Sequence, residues 1–570
     1  MRYAVAAALI AALIPLPSLA QTGVSGSPGP PAGVSGPPGI FGFDLGPNGD
    51  PASVAREGGK RVRISADWSE LEPARGKFVW RALDATVDRA VGAGLRTVVV
   101  LTNTPKWAAL DSGAPESVWR HQPPRNVADW ARFVGAAATR YRGRVSAWQV
   151  EPVLDFPVFR GTFRDYAEML HAARLAVRQA DPQAQVVAAS SSGLDLSYVK
   201  SLFARSGDDF NALVLVPTRR TPEEVLEALG VIHARIAPDS RHELWLDGAD
   251  AGGPSASPDD AVGNQMIRMA ASGIAGGVSQ EFWSGRQLAP RWAPLRGTLI
   301  RILESAHLVG WLPRGAGLYA FVLTGGPLPV AVMWSAGEEQ AVPVAFDGAP
   351  RITTATGGDA APVTRDGKPA VPVGRSPVLV QGLAPSVLAE AAQAAQQGPF
   401  PIPRDSAHDF SRAETVSVTL GPVNDERGLY NQRFRSLPAG AVVPLTVDGA
   451  DAVRTDAAKD AVYVYLDVDH SFAYFIDGRE DLLITIEVHR AKASQQVGFN
   501  LLYDSMTGYR FTSWQWIEAG SGWVKYAIRL TDAGFSSAWG WDLAINGAGD
   551  KREPLVVRSV TIQKVQRNRP

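Results

Sequence analysis

From Gly39 to about Leu303, short apolar runs alternate with longer stretches that repeat hydrophobic residues every three to four positions. Short runs rich in Val, Ile, Leu and Trp read as buried strands, and the longer period reads as amphipathic helix. The runs are Ile40–Leu45, Arg61–Ala66, Arg96–Thr102, Val145–Val150, Val186–Ser190, Ala212–Val216, Glu243–Asp247 and Gly277–Trp283. Between them, Trp130, Phe133, Val134, Ala137 and Tyr141 share one helical face in a segment starting near Asn126. Tyr166, Leu170, Ala173 and Val177 do the same from Phe163 to Asp181-Pro182, where proline ends the helix. Thr221-Pro222 supplies an N-cap with proline at the first helical position. Eight such alternations predict a (β/α)8 TIM barrel over 39–307. An open doubly wound sheet is the alternative, but no GxGxxG follows a strand, which argues against its dinucleotide-binding form.

After the barrel the period changes to two. Gly317–Leu323, Leu328–Trp334, Ala341–Phe346, Arg351–Ala355 and Pro377–Gly382, separated by Gly, Pro and Asp turns, predict a small accessory β-sandwich over 308–386. An Ala/Gln-rich and then Pro-rich linker, 387–407, follows, with room for a short helix. The remainder, 408–570, alternates clearly in Trp523–Leu530 and has further runs at Val462–Val468, Leu482–His489, Val497–Tyr503, Tyr509–Trp516 and Leu555–Val565. A jelly-roll-like β-sandwich resembling carbohydrate-binding sandwiches fits this pattern. Trp514 and Trp516, two apart, share a strand face: on the inner face they are core, the expected placement, and on the outer face they form a platform for sugar rings.

Composition adjusts this picture at a few points. The formal net charge of −1 gives no argument for a nucleic-acid or anionic-membrane partner. The absence of cysteine removes disulfides and thiolate metal sites, and the scattered histidines show no zinc spacing, so no metal and no cofactor are expected. Asp504 and Asp542 alone do not make a calcium site. Met1-Arg2-Tyr3 followed by an apolar stretch and Ser18-Leu-Ala20 reads as a secretory signal peptide, 1–20, cut after Ala20. No later run is long enough to span a membrane, so a secreted or periplasmic protein is expected. Residues 21–38 repeat glycine at nearly every third position with many prolines, which reads as an extended linker.

The chemistry centres on Trp148-Gln149-Val150-Glu151-Pro152. Proline stops the fourth strand, so Glu151 falls where strand gives way to loop, the place where barrel enzymes collect catalytic groups. The second strand reads Val62-Arg63-Ile64-Ser65-Ala66-Asp67-Trp68-Ser69-Glu70-Leu71-Glu72-Pro73, then Arg75-Gly76-Lys77-Phe78-Val79-Trp80 and Leu83-Asp84. Thr104-Pro105-Lys106-Trp107 follows the third strand, and Tyr141-Arg142-Gly143-Arg144-Val145 leads into the fourth. Together these segments resemble retaining glycoside hydrolases of clan A, most closely the family thirty-nine type.

That resemblance implies an acid/base Glu in an Asn-Glu-Pro segment after strand four and a nucleophilic Glu ending strand seven. If Glu151-Pro152 is that Glu-Pro, Val150 replaces the Asn; in a second register a short deletion has removed the acid/base and Glu151 is an upstream residue. Strand seven reads Leu244-Trp245-Leu246-Asp247-Gly248-Ala249-Asp250, with Gly248 at the simplest nucleophile position. Strand six ends Val216-Pro217 rather than His-Pro. The candidate catalytic set is therefore Glu151 as acid/base, with Asp247 (or Asp250) or Glu281 as its partner. Arg63, Trp68, Trp107 and Trp283 are candidate substrate contacts, with roles as a carboxylate partner and as mouth filling left open. The expected activity is acid/base-assisted hydrolysis of a polysaccharide or oligosaccharide. The alternative is a barrel without catalysis that binds glycans or scaffolds polysaccharide export.

Overall fold

The computed structural model describes residues 39–46, 49–154, 158–218, 220–238, 240–248, 259–314, 317–402, 409–432, 440–476, 480–492, 496–547 and 553–567. Eight parallel strands close into a barrel: β1 (Phe41–Leu45), β2 (Arg61–Asp67), β3 (Arg96–Thr102), β4 (Val145–Val150), β5 (Gln185–Ser192), β6 (Ala212–Val216), β7 (Glu243–Gly248) and β8 (Val278–Trp283). The ring closes through β8 onto β1, with Phe41 opposite Glu281 and Phe43 opposite Trp283. Each lies within two residues of its sequence-predicted span, because strands buried on both faces read as near-continuous apolar runs.

Alternation along these strands sorts side chains into two layers. Val98, Ala147, Val187, Val214, Trp245 and Phe282 fill the lumen. Their neighbours Val99, Trp148, Val186, Leu213, Leu246 and Trp283 face outward into the helical layer. The helices begin where their caps predict. Asn126 accepts from the Ala128 N–H ahead of Val127–Arg140, and capping boxes Thr162/Asp165 and Thr221/Glu224 open Phe163–Ala180 and Pro222–Val231. Among the described residues, no helix is long and apolar enough to cross a membrane.

The small sandwich pairs a six-stranded antiparallel sheet with a three-stranded one around Leu318, Ala320, Val322, Met333, Val371 and Val380. The opposite face of the larger sheet turns Tyr319, Phe321 and Trp334 toward the barrel, where the Trp334 indole donates to Glu223 at 2.7 Å. The Ala/Gln-rich segment forms a helix, Pro385–Gln396, that lays Val387 and Ala391 into the small sandwich's core. Its alanines allow close approach: a Cβ at Gly310 would stand 1.9 Å from the Ala391 carbonyl oxygen.

The C-terminal sandwich stacks a seven-stranded sheet on a six-stranded one around Leu466, Ile484, Ile486, Phe499, Leu501, Ile545 and Ile562. Several short strands missed by the sequence pattern, Thr415–Thr419, Val443–Val447, Ala450–Arg454 and Leu543–Asn546, complete it. It docks on the barrel beside β5 and β6. Ser197 donates to the Ser505 carbonyl at 2.7 Å, Arg220 bridges the carbonyls of Gly193 and Ser536, and His470 meets Glu227 at 2.8 Å.

One outward-facing residue is unexpected. Glu281 is fully buried in the helical layer, and neither carboxyl oxygen has a hydrogen-bond partner among the described residues. Burial pushes its pKa up to about 8; the nearby Trp283 indole, short of a well-formed hydrogen bond, offsets little of this. The carboxyl is therefore neutral in the folded protein at pH 7 and charged in the unfolded chain. Because the folded pKa lies above the unfolded one, the folded state binds more protons between pH ~4.5 and ~8, and stability falls as pH rises through that window. Glu281→Gln is expected to remove a fall of the order of 2–4 kcal/mol from the wild-type profile, read by chemical unfolding at pH 5 and pH 8.5. Superimposable pH profiles for the two proteins would mean that Glu281 is charged in the fold.

Candidate active site

The C-terminal ends of the strands bring together Asp44 (β1), Arg63 and Asp67 (β2), Asn103 after β3, Glu151 after β4 and Asp247 (β7). Arg63 establishes which way Asp44 and Asp247 point. Its Nη2 donates to Asp44 at 2.7 Å and to Asp247 at 2.9 Å, and its guanidinium lies 4.8 Å from the Phe282 ring centre. Since β2 and β7 are not neighbours in the ring, that second contact crosses the lumen. Burial works against the charge on Arg63, but Asp247 and Asp44 more than compensate and hold it firmly cationic. Its Nε and Nη1 are buried without an acceptor among the described residues. The predicted Arg63 thus serves as the clamp for Asp247, which it fixes against the lumen wall.

Glu151 is held differently. Its backbone is left-handed, φ 60°, an uncommon state for a residue with a side chain. Asn103 (φ 59°), directly after β3, shares this conformation, as does Leu194 (φ 59°) two residues past β5. Neighbours enforce the conformation of Glu151: its N–H donates to the Leu101 carbonyl at 3.1 Å, and its carbonyl accepts from the Gln149 amide at 3.0 Å. One residue back, the Tyr166 hydroxyl donates to the Val150 carbonyl and accepts from the Ala189 N–H, pinning the end of β4 to β5. The Glu151 side chain is buried, and its pKa is pushed up to about 8, first by burial and then by the negative charge of Asp67. Asp67 itself is tied down by Arg120, by the Asn103 amide at 2.6 Å and by the Ser69 N–H and hydroxyl. The chemical result is a carboxylic acid that carries its proton at neutral pH, set at the mouth of a barrel.

The other predicted residues fall elsewhere. Glu281 and Trp283 lie on the outer face of β8, because Phe282 between them points into the lumen. Glu281 therefore cannot partner Glu151, and Trp283 stacks on Phe41 at 4.4 Å as core. Trp68 is likewise core: it packs against Trp107, Trp130 and Phe133, and its indole donates to Glu72 at 2.8 Å. Asp67 before it faces the lumen and caps the next helical turn, which swings Trp68 outward. Trp107 keeps some exposure, but its indole is tied to the Glu72 carbonyl and Arg75 and Arg132 lie over its ring. No sugar-stacking floor is formed by these three. Asp250 lies outside the described residues.

Gly248 has a physical reason to be glycine. A Cβ there would meet the Phe282 carbonyl oxygen at 2.3 Å and the Gln287 side-chain oxygen at 2.7 Å. The backbone of β7 and β8 leaves no room for a carboxylate at this position, so Asp247 is the strand-seven acid that faces the lumen. Gly248→Ala is expected to lower stability by about 1–3 kcal/mol in thermal or chemical unfolding, the usual effect of an added group in a packed site. An alanine variant as stable as wild type would show that the strands can separate here.

Asp44, Asp67 and Asn103 were not singled out from the sequence. Asp44 had a signal in the alternation Phe41-Gly42-Phe43-Asp44, aromatic outward and small or polar inward. Asp67 had one as the first residue after the strand's apolar run, ahead of a helical turn. A cavity of about 1130 Å³ opens on the barrel's flank between Val127–Arg140 and Phe163–Ala180, away from these acids. The mouth is identified by its chemistry.

No family model matches the chain, and no curated protein matches it. Solved structures similar to it include a family 39 glycoside hydrolase from the gut symbiont Bacteroides cellulosilyticus WH2, at 14% identity and a TM-score of 0.48, over 60% of this chain and 80% of that one. A GH30 endoxylanase from Clostridium papyrosolvens C71 matches at 13% identity and a TM-score of 0.46, over 62% of this chain and 98% of that one. A glucosidase from Croceicoccus marinus matches at 13% identity and a TM-score of 0.38, over 93% of this chain and 98% of that one.

Proposed function

We propose that this protein hydrolyses glycosidic bonds of a polysaccharide outside the cytoplasm, with Glu151 as the general acid. The observation that carries this reading is the setting of Glu151: buried, left-handed in backbone and beside Asp67, surroundings that raise its pKa to about 8. A general acid must hold its proton until the leaving oxygen demands it, and enzymes raise a Glu pKa by burial and a like charge to achieve that. In the proposed reaction the Glu151 proton passes to the glycosidic oxygen as the bond to the anomeric carbon breaks. Asp247, across the lumen under Arg63, is the carboxylate that attacks the anomeric carbon or activates water for it. Glu151 then recovers its proton from the water that completes hydrolysis. The N-terminal signal-like segment supports export. No cofactor enters the reaction.

A second reading, a glycan-binding barrel without turnover, is favoured by one observation. Gly248 cannot carry a side chain, and Asp247, one residue lower on β7, is committed to Arg63. Release of reducing ends from a polysaccharide panel by the wild-type protein separates the two. Turnover supports hydrolysis, and the anomer first released tells attack by Asp247 from water activation; binding without release supports the second reading.

A further inference from the structure

The three exposed aromatic side chains among the described large hydrophobic residues are Tyr509 (48%), Phe511 (71%) and Trp516 (61%). All three lie on one face of one sheet. Residues paired directly across antiparallel strands share a face. In the six-stranded sheet Phe511 pairs with Leu502, Tyr509 with Asp504 and Trp516 with Gly498, and the partners 498, 502 and 504 alternate with core residues Phe499, Leu501 and Tyr503. The face is therefore the one turned away from the sandwich core. Trp514 and Trp516, expected in that core, stand on it instead. Gly498 is flat so that Trp514 can lie over it: a Cβ there would stand 2.2 Å from the indole nitrogen.

The same face carries a second aromatic layer. Tyr465 and Trp541 pack on Leu502 and Ala544, and the ring of Trp541 also meets Tyr509 and Trp539. Between the two aromatic zones Asn546 donates to Asn500 at 2.9 Å and the Asn500 amide donates to the Thr512 carbonyl at 3.3 Å, which sets a strip of amide groups on the same face. Charge is used up at the end nearest the barrel. Asp542 accepts from the N–H groups of Val468 and Ser537, Asp504 accepts from the N–H and hydroxyl of Ser536, and Arg510 pairs with Asp532.

That end is also where the sandwich meets the barrel. Ala538, one residue before Trp539, sits so close to Gly193 that a Cβ on the glycine would stand 2.1 Å from its carbonyl oxygen. Gly193 follows β5 and Arg220 follows β6, so both belong to the loops at the barrel mouth. The aromatic face thus starts at the mouth and runs away from it.

We propose that this face binds a neutral glycan chain and leads it to the barrel mouth. Aromatic faces stack on the C–H faces of sugar rings, and the Asn500–Asn546 pair matches hydroxyl groups; an aliphatic-seeking protein partner or an anionic polymer would find neither its side chains nor its charges. The proposal rests on the glycan reading of the barrel, but not on turnover.

The test uses the full chain carrying Glu151→Gln, so that gel-borne polymer is not degraded, with and without Phe511→Ala/Trp516→Ala. Both proteins are run through native gels containing hydroxyethylcellulose, galactomannan or arabinoxylan, with polygalacturonate as the charged comparison. Retardation by at least one neutral polymer is expected, with affinity lowered about tenfold or more in the double-alanine protein and an unchanged unfolding midpoint. Equal retardation of both proteins, retardation by polygalacturonate alone, or none in any gel overturns the proposal. So does a change in sedimentation with glycan affinity intact, which would make the face a self-association surface. Retardation without reducing-end release by wild type would sink hydrolysis and leave this inference standing; cleavage by wild type with undiminished binding by the double-alanine protein would do the reverse.

Discussion

Glu151→Gln is expected to lower kcat on a cleaved polysaccharide by about 10²- to 10⁴-fold, the contribution of a positioned general acid. Glutamine keeps the shape and removes the proton. The wild-type rate should fall as pH rises through about 8, because Glu151 acts only while protonated and its pKa in the fold lies there. The residual rate of the glutamine protein should lack that alkaline limb. Asn at position 67 should shift the limb toward lower pH, since the Asp67 charge is the second cause of the raised value. Equal turnover by wild type and Glu151→Gln at pH 6 would remove Glu151 from the mechanism.

Arg63→Met is expected to cost about 3 kcal/mol of stability, measured as a lowered denaturation midpoint. The arginine side chain is almost wholly buried, and its loss takes the guanidinium away from Asp247 and from the more exposed Asp44. Removing one partner of a buried pair typically costs 3–5 kcal/mol, and the exposure of Asp44 places this case at the lower end. Arg63→Met combined with Asp247→Asn should recover part of the loss, because the stranded charge goes with it. A single substitution costing under about 1 kcal/mol would mean that the lumen is wet enough to solvate both acids.

The barrel was legible because each of its strands is an apolar run broken by helix-capping residues, and Glu151 was legible because a proline follows it. Orientation was harder to read. Glu281 lies in an unbroken run, Gln280-Glu281-Phe282-Trp283, where composition does not tell lumen from helical layer; only the position of Phe282 in the inner cluster decides it. Trp68 and Trp283 were read as mouth residues because tryptophan suits both sugars and cores, and here the core won. Arg63 could be placed at a strand end, but its commitment to two acids depends on β1 pairing beside it and β7 lying across the lumen, the second contact spanning 184 residues. The side taken by Trp514 and Trp516 could not be read from the sequence, which left core and outer platform both open, because a one-residue irregularity between Phe511 and Gln515 breaks the alternation that would assign it.

The left-handed backbone of Glu151 bears on how the site and the fold compete. Holding a residue with a side chain there costs of the order of 1–3 kcal/mol, and burying its carboxyl adds to that. Glycine or asparagine would occupy the same backbone more comfortably. A chain optimised for stability alone would have shed the glutamate. Position 151 is thus a point of frustration, where the most stable sequence and the one with a proton poised over the lumen differ by a single side chain.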